Sequence, residues 1–135
     1  MLQLDDPQTA WLMLIARAAL ASVFLVSGIH KGLWYSKAAA EFERDNIPLI
    51  PVTLSGTIVL HLLGSICIIL GWYAQEAALA LGIFTVAATL KVHAYWKLPK
   101  PEQLARSRIT INNLSVTGGL LLLVAVGPGS LALSP

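Results

Sequence analysis

The chain has 135 residues, of which 56% are apolar and 12% are charged, and its mean hydropathy is +0.73. An average soluble domain carries roughly 25% charged residues, and a domain this small has too little interior to hide so much apolar surface. The composition therefore excludes an ordinary water-soluble globule, a disordered chain and, despite a formal net charge of +2, a nucleic-acid-binding protein. It predicts an integral membrane protein.

Four segments are long and apolar enough to cross the roughly 30 Å hydrocarbon core of a bilayer as helices. Prolines and glycines fall between them and after the last, where helices are expected to start or stop. Since one link is very short, neighbouring helices should be antiparallel. We predict an all-α, four-helix membrane bundle in a single domain, residues 1–135. The predicted spans cover about residues 10–29, 52–72, 77–96 and 109–126.

The link between the first two spans contains SKAAAEFERDNIP, residues 36–48. With Phe42 near two alanines on one side and charges on the other, it could form a short helix on the membrane surface. A plain polar loop is the alternative. Before the first span stand Asp5 and Asp6 rather than basic residues, and no small-residue cleavage site follows it. We expect that segment to remain as a span rather than to be a cleaved signal peptide.

The basic residues are distributed asymmetrically about the predicted spans. Eight of the nine Lys and Arg residues lie in or beside the first and third links, and the ninth, Arg17, lies inside a span. Positively charged residues of membrane proteins are retained in the cytoplasm. We therefore predict a multi-pass protein of the bacterial inner membrane with both termini outside the cytoplasm.

Ionisable residues inside a span are costly and are candidates for function. Arg17 could extend its charge to the membrane surface or hold an anionic or carbonyl-bearing ligand. His61, near the middle of the second span, could be satisfied by Thr57 or Ser65, or could bind a ligand or a proton. The sequence leaves both alternatives open at both residues.

A second polar group, His93, Asn112 and Asn113, is predicted at the cytoplasmic edge, with Trp96 close by. Its imidazole and amide donors suit the carbonyl oxygens of a quinone, and a tryptophan there could stack on the ligand ring. The competing interpretation is that both asparagines cap the fourth helix and that His93 bonds a loop carbonyl. The candidate ligand-binding residues are thus Arg17, His61, His93, Asn112, Asn113 and Trp96.

The sequence gives no catalytic motif. Cys67 is the single cysteine, which excludes an internal disulfide and a cysteine-based zinc site, and the histidines lack the spacing of a metal site. We expect no metal and no cofactor bound by the chain itself. Small residues at helical spacing, Gly28 with Gly32 and Ser115 with Gly119, are expected at helix contacts. The adjacent Gly118 and Gly119 are expected to face another helix closely.

Several of these features occur in a recognisable order. The stretch RAALASVFLVSGIHKG, residues 17–32, resembles the first helix of the DoxX family. Pro48, Gly64, Gly71 and the ending HAYW also match, as does the closing segment NNLSVTGGLLLLVAVGPGSLALS. The family often has an acidic residue where this sequence has His61, so the resemblance carries no proton role over to that position.

The resemblance implies a four-helix membrane bundle associated with oxidoreductases, such as a small membrane subunit of a quinone-linked enzyme. On that basis we expect a membrane anchor with a quinone or lipid pocket, while a partner protein supplies the redox centre. Two alternatives remain. One is a non-enzymatic scaffold, as part of a larger membrane complex or a homo-oligomer, and the other is a small hydrophobic-ligand binder or transporter. An interior pocket lined by Arg17, His61 or His93 would favour ligand binding, and a filled interior would favour the scaffold.

Overall fold

The computed structural model describes residue 3 and residues 6–133. Within them, four of the helices are long and apolar enough to cross a membrane, which confirms the predicted all-α bundle. Asp5, one of the acidic residues predicted outside the cytoplasm, and Pro135, the end of the chain, lie outside the described residues. The helices are α1 (Pro7–Leu33), α2 (Tyr35–Arg44), α3 (Ile50–Leu70), α4 (Ala74–Val92) and α5 (Lys100–Val126), with a short 3-10 turn at Tyr95–Lys97.

The long helices pack as antiparallel neighbours in the order α1, α3, α4, α5. Glycines allow the close approaches between them. A Cβ atom on Gly28 would lie 2.9 Å from Cδ2 of Leu62, and one on Gly64 would lie 2.9 Å from Cδ1 of Leu81. Because lipid tails give helices no hydrophobic reason to associate, such backbone approach is a main source of their attraction.

The first link is helical, which decides between the two alternatives that the sequence left open. Helix α2 packs on α1 and α3, and its Ala38 is buried. Three consecutive alanines favour the helical state intrinsically, and the apolar side of α2 finds a partner in the bundle. The bundle end that carries α2 and the 3-10 turn is called the link side below, and the opposite end the termini side.

The bounds of two helices differ from those of the predicted spans. Helix α5 begins at Lys100, nine residues before the predicted start at 109, and α4 ends at Val92 rather than at 96. Hydropathy detects the apolar part of a helix, whereas α5 continues through the polar residues 100–108. Pro101 fits this start because the first turn of a helix needs no backbone N–H from it.

The expectation for the paired glycines holds for one of them. A Cβ on Gly119 would lie 3.1 Å from Cδ1 of Leu20 on α1, so this position faces another helix closely. Gly118 is exposed and has open space around it. Adjacent residues of a helix point about 100° apart, so the two could not share one contact.

The apolar core lies in the termini-side half of the bundle, where all four long helices contribute. Helix α5 buries only Leu120 and Leu123, both near its C-terminal end. In the link-side half α5 therefore stands away from α1, and a cavity opens between the helices. The core cluster consists of Ala21, Phe24, Ile68, Ala78, Leu81, Leu120 and Leu123.

Candidate functional site

A cavity of about 700 Å³ occupies the link-side half of the bundle and is called the central cavity below. Helices α1, α3, α4 and α5 form its walls, and α2 with the residues that follow it lies across its link-side end. Binding sites for small molecules commonly measure about 300–1,000 Å³ and combine apolar walls with a few polar groups. The central cavity has that size and character.

His61 is the most deeply buried titratable side chain of the cavity, with 5% of its surface exposed. Its ring lies between the rings of Phe24 and Phe84, at centroid distances of 5.4 and 4.9 Å, in edge-to-face geometry. Among the described residues, neither ring nitrogen has a hydrogen-bond partner. A buried polar group without a partner costs roughly 1–3 kcal/mol, so a ligand that bonds this imidazole would remove that cost.

The hydroxyl groups near His61 are directed to backbone carbonyls instead of to its ring. Thr57 donates to the carbonyl of Thr53 at 2.7 Å, and Ser65 donates to the backbone carbonyl of His61 itself. Such bonds within one helix are common for Ser and Thr. The two partners that the sequence offered for the imidazole therefore leave it unsatisfied.

His93 and Asn113 also line the cavity, and both already have partners. Nδ2 of Asn113 donates to Oγ1 of Thr89 at 2.9 Å, which ties α5 to α4. Nδ1 of His93 lies 3.4 Å from Nη1 of Arg106, and the backbone carbonyl of His93 accepts a bond from Thr110. These contacts hold the link-side ends of α4 and α5 together.

Charged side chains surround the link-side end of the cavity. Lys31 is half-buried and bonds to Ser27 one turn earlier, and Arg44 pairs with Asp45 at 3.5 Å. Basic residues outnumber acidic ones in the lining, which also contains Glu41, Lys91 and Arg106. The cavity is thus apolar and aromatic along its length, with one buried imidazole inside and charges at one end.

Arg17 lies outside this cavity, at the termini side. It is buried, with 2% of its surface exposed, and its Nη2 donates to the backbone carbonyl of Leu131. The segment after α5 folds back over it, and the amide of Leu133 bonds the carbonyl of Leu70 at 2.9 Å. Within the described residues, Nε and Nη1 of Arg17 have no hydrogen-bond partner.

Asn112 and Trp96 do not reach the cavity either. Both are exposed, and neither lines it. Because α5 begins at Lys100, both asparagines lie inside the helix, so the interpretation that they cap it is wrong. Of the six candidate residues, the structure brings together His61, His93 and Asn113.

The aromatic partners of His61 were not among the sequence candidates. Phe84, Ala88 and Lys91 all line the cavity at helical spacings of four and three residues. These three residues form one side of α4, next to the side on which the polar residues 85, 89 and 93 lie. Their spacing of four and three residues can be seen in the sequence. Glu41 and Asp45 also line the cavity, which follows only from the position of α2 in the bundle. Helical periodicity does not predict that position.

Four long apolar helices around a mainly apolar cavity with one buried imidazole define a small multi-pass membrane protein that would sit in a lipid bilayer. The family model for DoxX matches residues 12–94, more than half of the chain. The chain belongs to the DoxX family. The matched range contains Arg17, Lys31, His61 and Phe84, and excludes all of α5.

Two curated relatives cover most of the chain. The inner membrane protein YphA of Escherichia coli (strain K12) is 25% identical over 123 residues, which are 90% of this chain and 87% of that protein. The inner membrane protein YqjF of the same organism is 26% identical over 118 residues, or 87% of this chain and 85% of that protein.

A third relative matches a smaller region. The ER-derived vesicles protein ERV29 of Saccharomyces cerevisiae is 30% identical over 76 residues, which are 56% of this chain and 24% of that protein. No solved structure gives a significant match.

Proposed function

We propose that this protein is a small inner-membrane subunit of a quinone-linked oxidoreductase and that the head group of the quinone binds in the central cavity at His61. The observation that carries the proposal is the unpartnered imidazole, 95% buried, in a cavity of about 700 Å³ between two phenylalanine rings. The resemblance to the DoxX family supports the association with an oxidoreductase.

The chemistry of the cavity suits a quinone head. A quinone is a flat ring with carbonyl oxygens that accept hydrogen bonds, and a neutral imidazole offers one N–H donor. Phe24 and Phe84 provide apolar surface on either side of that donor. The residues of this chain would bind and orient the head group, and a partner protein would exchange electrons with it.

The cavity supports a ligand-binding function over a scaffold. A scaffold whose function is packing would have its interior filled by side chains, whereas this interior is open and polar at His61 and His93. A small hydrophobic-ligand binder or transporter would use the same cavity. The two ligand-binding functions differ in whether a redox partner oxidises or reduces the bound molecule.

Purification from the native membrane in mild detergent, followed by identification of the bound quinones, lipids and proteins, tests the proposal directly. We expect a bound quinone and an oxidoreductase partner. Recovery of the intact protein with neither would contradict the proposal. A bound non-quinone lipid without a redox partner would support the binder or transporter instead.

The substitution His61→Phe sharpens this test because it predicts two effects of opposite sign. Bound quinone should fall about tenfold when the buried donor is lost, while the melting temperature of the ligand-free protein should rise or stay unchanged, since an unsatisfied buried polar group is removed. Quinone extraction and thermal unfolding in detergent measure the two effects.

Asn112→Phe is the matched control, because Asn112 is exposed and does not line the central cavity or the space beside it. Its quinone content should equal that of the unsubstituted protein. Unchanged quinone content in His61→Phe, or a loss that accompanies a lower melting temperature, would show that His61 is structural.

A further inference from the structure

A second cavity, of about 620 Å³, lies between α1 and α2 and is called the side cavity below. Lys31 and Glu41 line both this cavity and the central one. His30, Trp34 and Lys37 line the side cavity alone. Two ammonium groups, an imidazole and one carboxylate therefore surround the same space.

The opposite charges around the side cavity do not neutralise each other. Among the described residues, the one ion pair joins Arg44 to Asp45. Lys31 donates to the hydroxyl of a serine one turn earlier on α1. Glu41 makes no ion pair with Lys37, although the two stand one turn apart on α2. Unpaired charges of both signs around an open space are complementary to a ligand that itself carries both signs.

The side cavity lies where the headgroups of the surrounding lipids are expected. Val23, its innermost residue on α1, is half-exposed, and Lys31 lies eight residues further toward the link side, or about 12 Å along the helix axis. Trp34, in the next turn, is exposed as well. Lysine and tryptophan side chains both favour the membrane–water interface. The charged groups of the side cavity are therefore at headgroup depth, next to residues of α1 that meet the lipid tails.

We infer that the side cavity binds the headgroup of a zwitterionic phospholipid whose ammonium group carries N–H donors. The phosphate lies at Lys31 and Lys37, which supply N–H donors and positive charge, and the ammonium of the headgroup lies at Glu41, which supplies acceptor oxygens and negative charge. Basic pockets between membrane helices bind lipid headgroups, and the carboxylate adds a preference among them. The acyl chains stay in the bilayer beside α1. The inference does not depend on the proposed function, because the quinone head is assigned to His61 in the central cavity.

Three phospholipids with identical acyl chains test this site: phosphatidylethanolamine, phosphatidylcholine and phosphatidylglycerol. The purified protein in detergent is incubated with an equimolar mixture, and the lipids retained per protein after size-exclusion chromatography are identified by mass spectrometry. We expect phosphatidylethanolamine to be enriched about threefold, the size expected of one exposed ion pair. Phosphatidylglycerol has no ammonium group for Glu41, and the quaternary ammonium of phosphatidylcholine cannot donate a hydrogen bond to it.

Two substitutions separate the contributions of the two charges. Glu41→Gln should abolish the enrichment of phosphatidylethanolamine over phosphatidylglycerol, because the amide keeps the size of the side chain but loses its charge. Lys37→Gln should lower the retention of all three lipids about twofold, since each of them carries a phosphate. Glu43→Gln on α2 and Lys100→Gln at the start of α5 are the matched controls, because both residues are exposed and line neither cavity. Both controls should retain the lipids as the unsubstituted protein does.

Three results would overturn the headgroup site. Equal retention of the three lipids, or an enrichment that Glu41→Gln leaves unchanged, would show that the side cavity does not select such a headgroup. Displacement of the lipid by an equal concentration of soluble glycerophosphoethanolamine would assign the site to a free phosphate ester. His61→Phe should leave the enrichment unchanged, and its loss in that variant would place the lipid in the central cavity. A lack of bound quinone, by contrast, contradicts only the proposed function.

Discussion

Gly71 ends α3 with a φ of +75°, in the left-handed region that favours glycine. A Cβ atom there would also collide with the guanidinium of Arg17 and with the backbone of Ala132. Both constraints act together, because the turn between α3 and α4 lies under the segment that follows α5. We expect Gly71→Ala to destabilise the protein by about 1–3 kcal/mol, measured as a lower melting temperature in detergent.

Gly118→Ala is the control for this substitution. Gly118 lies within α5 with open space where a Cβ would be added. Alanine is favoured over glycine in a helix by roughly 1 kcal/mol, so the melting temperature should rise slightly or stay unchanged. Equal effects of the two alanine substitutions would contradict the role given to the turn.

The candidate residues that line the central cavity are those whose position follows from helical periodicity. His61 and Thr57 share a face of α3. His93 follows the last residue of α4 and Asn113 lies within the neighbouring α5, and their depth and spacing bring them to the same cavity. Arg17 had the same kind of signal but lies under residues 131–133, which return from the far end of the chain. Contacts between segments so distant in sequence leave no periodic pattern.

Few side-chain hydrogen bonds connect the link-side half of α5 to α4. Nδ2 of Asn113 donates to Oγ1 of Thr89, and Asn113 is half-buried, whereas the neighbouring Asn112 is exposed. We expect Asn113→Leu to lower stability by roughly 0.5–2 kcal/mol, the usual value of a hydrogen bond between membrane helices. Thermal unfolding in detergent measures the loss.

Asn112→Leu provides the matched comparison and should have no such cost. A double-mutant cycle with Thr89→Val isolates the bond itself, because the second substitution should cost little once the first has removed the partner. Additive effects of Asn113→Leu and Thr89→Val would show that the two side chains do not stabilise each other.

At the level of whole helices, hydropathy indicates the four apolar spans of the described residues but does not fix where α4 ends or where α5 begins. An apolar run reports which residues meet lipid, and α5 extends beyond its run because residues 100–108 form helix without needing to be apolar. Conversely, α4 ends at Val92, although the apolar segment of the sequence continues beyond that residue. The chain between α4 and the 3-10 turn is held by the hydrogen bond that Thr110 donates to the backbone carbonyl of His93. That bond depends on the neighbouring helix.

For the molecule as a whole, we propose that both termini face the periplasm and that α2 and the 3-10 turn face the cytoplasm. The bundle geometry puts the residues near 6 and 133 on one side and α2 on the other, and the basic residues of the links should stay in the cytoplasm. Alkaline phosphatase fused after Pro135 should be active, and a fluorescent protein that matures only in the cytoplasm should be dark there.

Fusions placed after Asn46, in the first link, should give the opposite pattern. Fluorescence at Pro135 together with phosphatase activity at Asn46 would reverse the orientation. The helices and the cavity would be unaffected, but the charged end of the central cavity would then face the periplasm, and an oxidoreductase partner would have to be sought on that side.

The segment after α5, which folds back over Arg17, also sets an order of events during synthesis. Arg17 enters the membrane with the first helix, whereas Leu131, whose carbonyl accepts its hydrogen bond, is added 114 residues later. Until then the guanidinium must be accommodated by water, lipid headgroups or the insertion machinery. The burial of this one charge is therefore completed only after residue 131 has been added, and a chain that stops before that residue lacks the hydrogen bond.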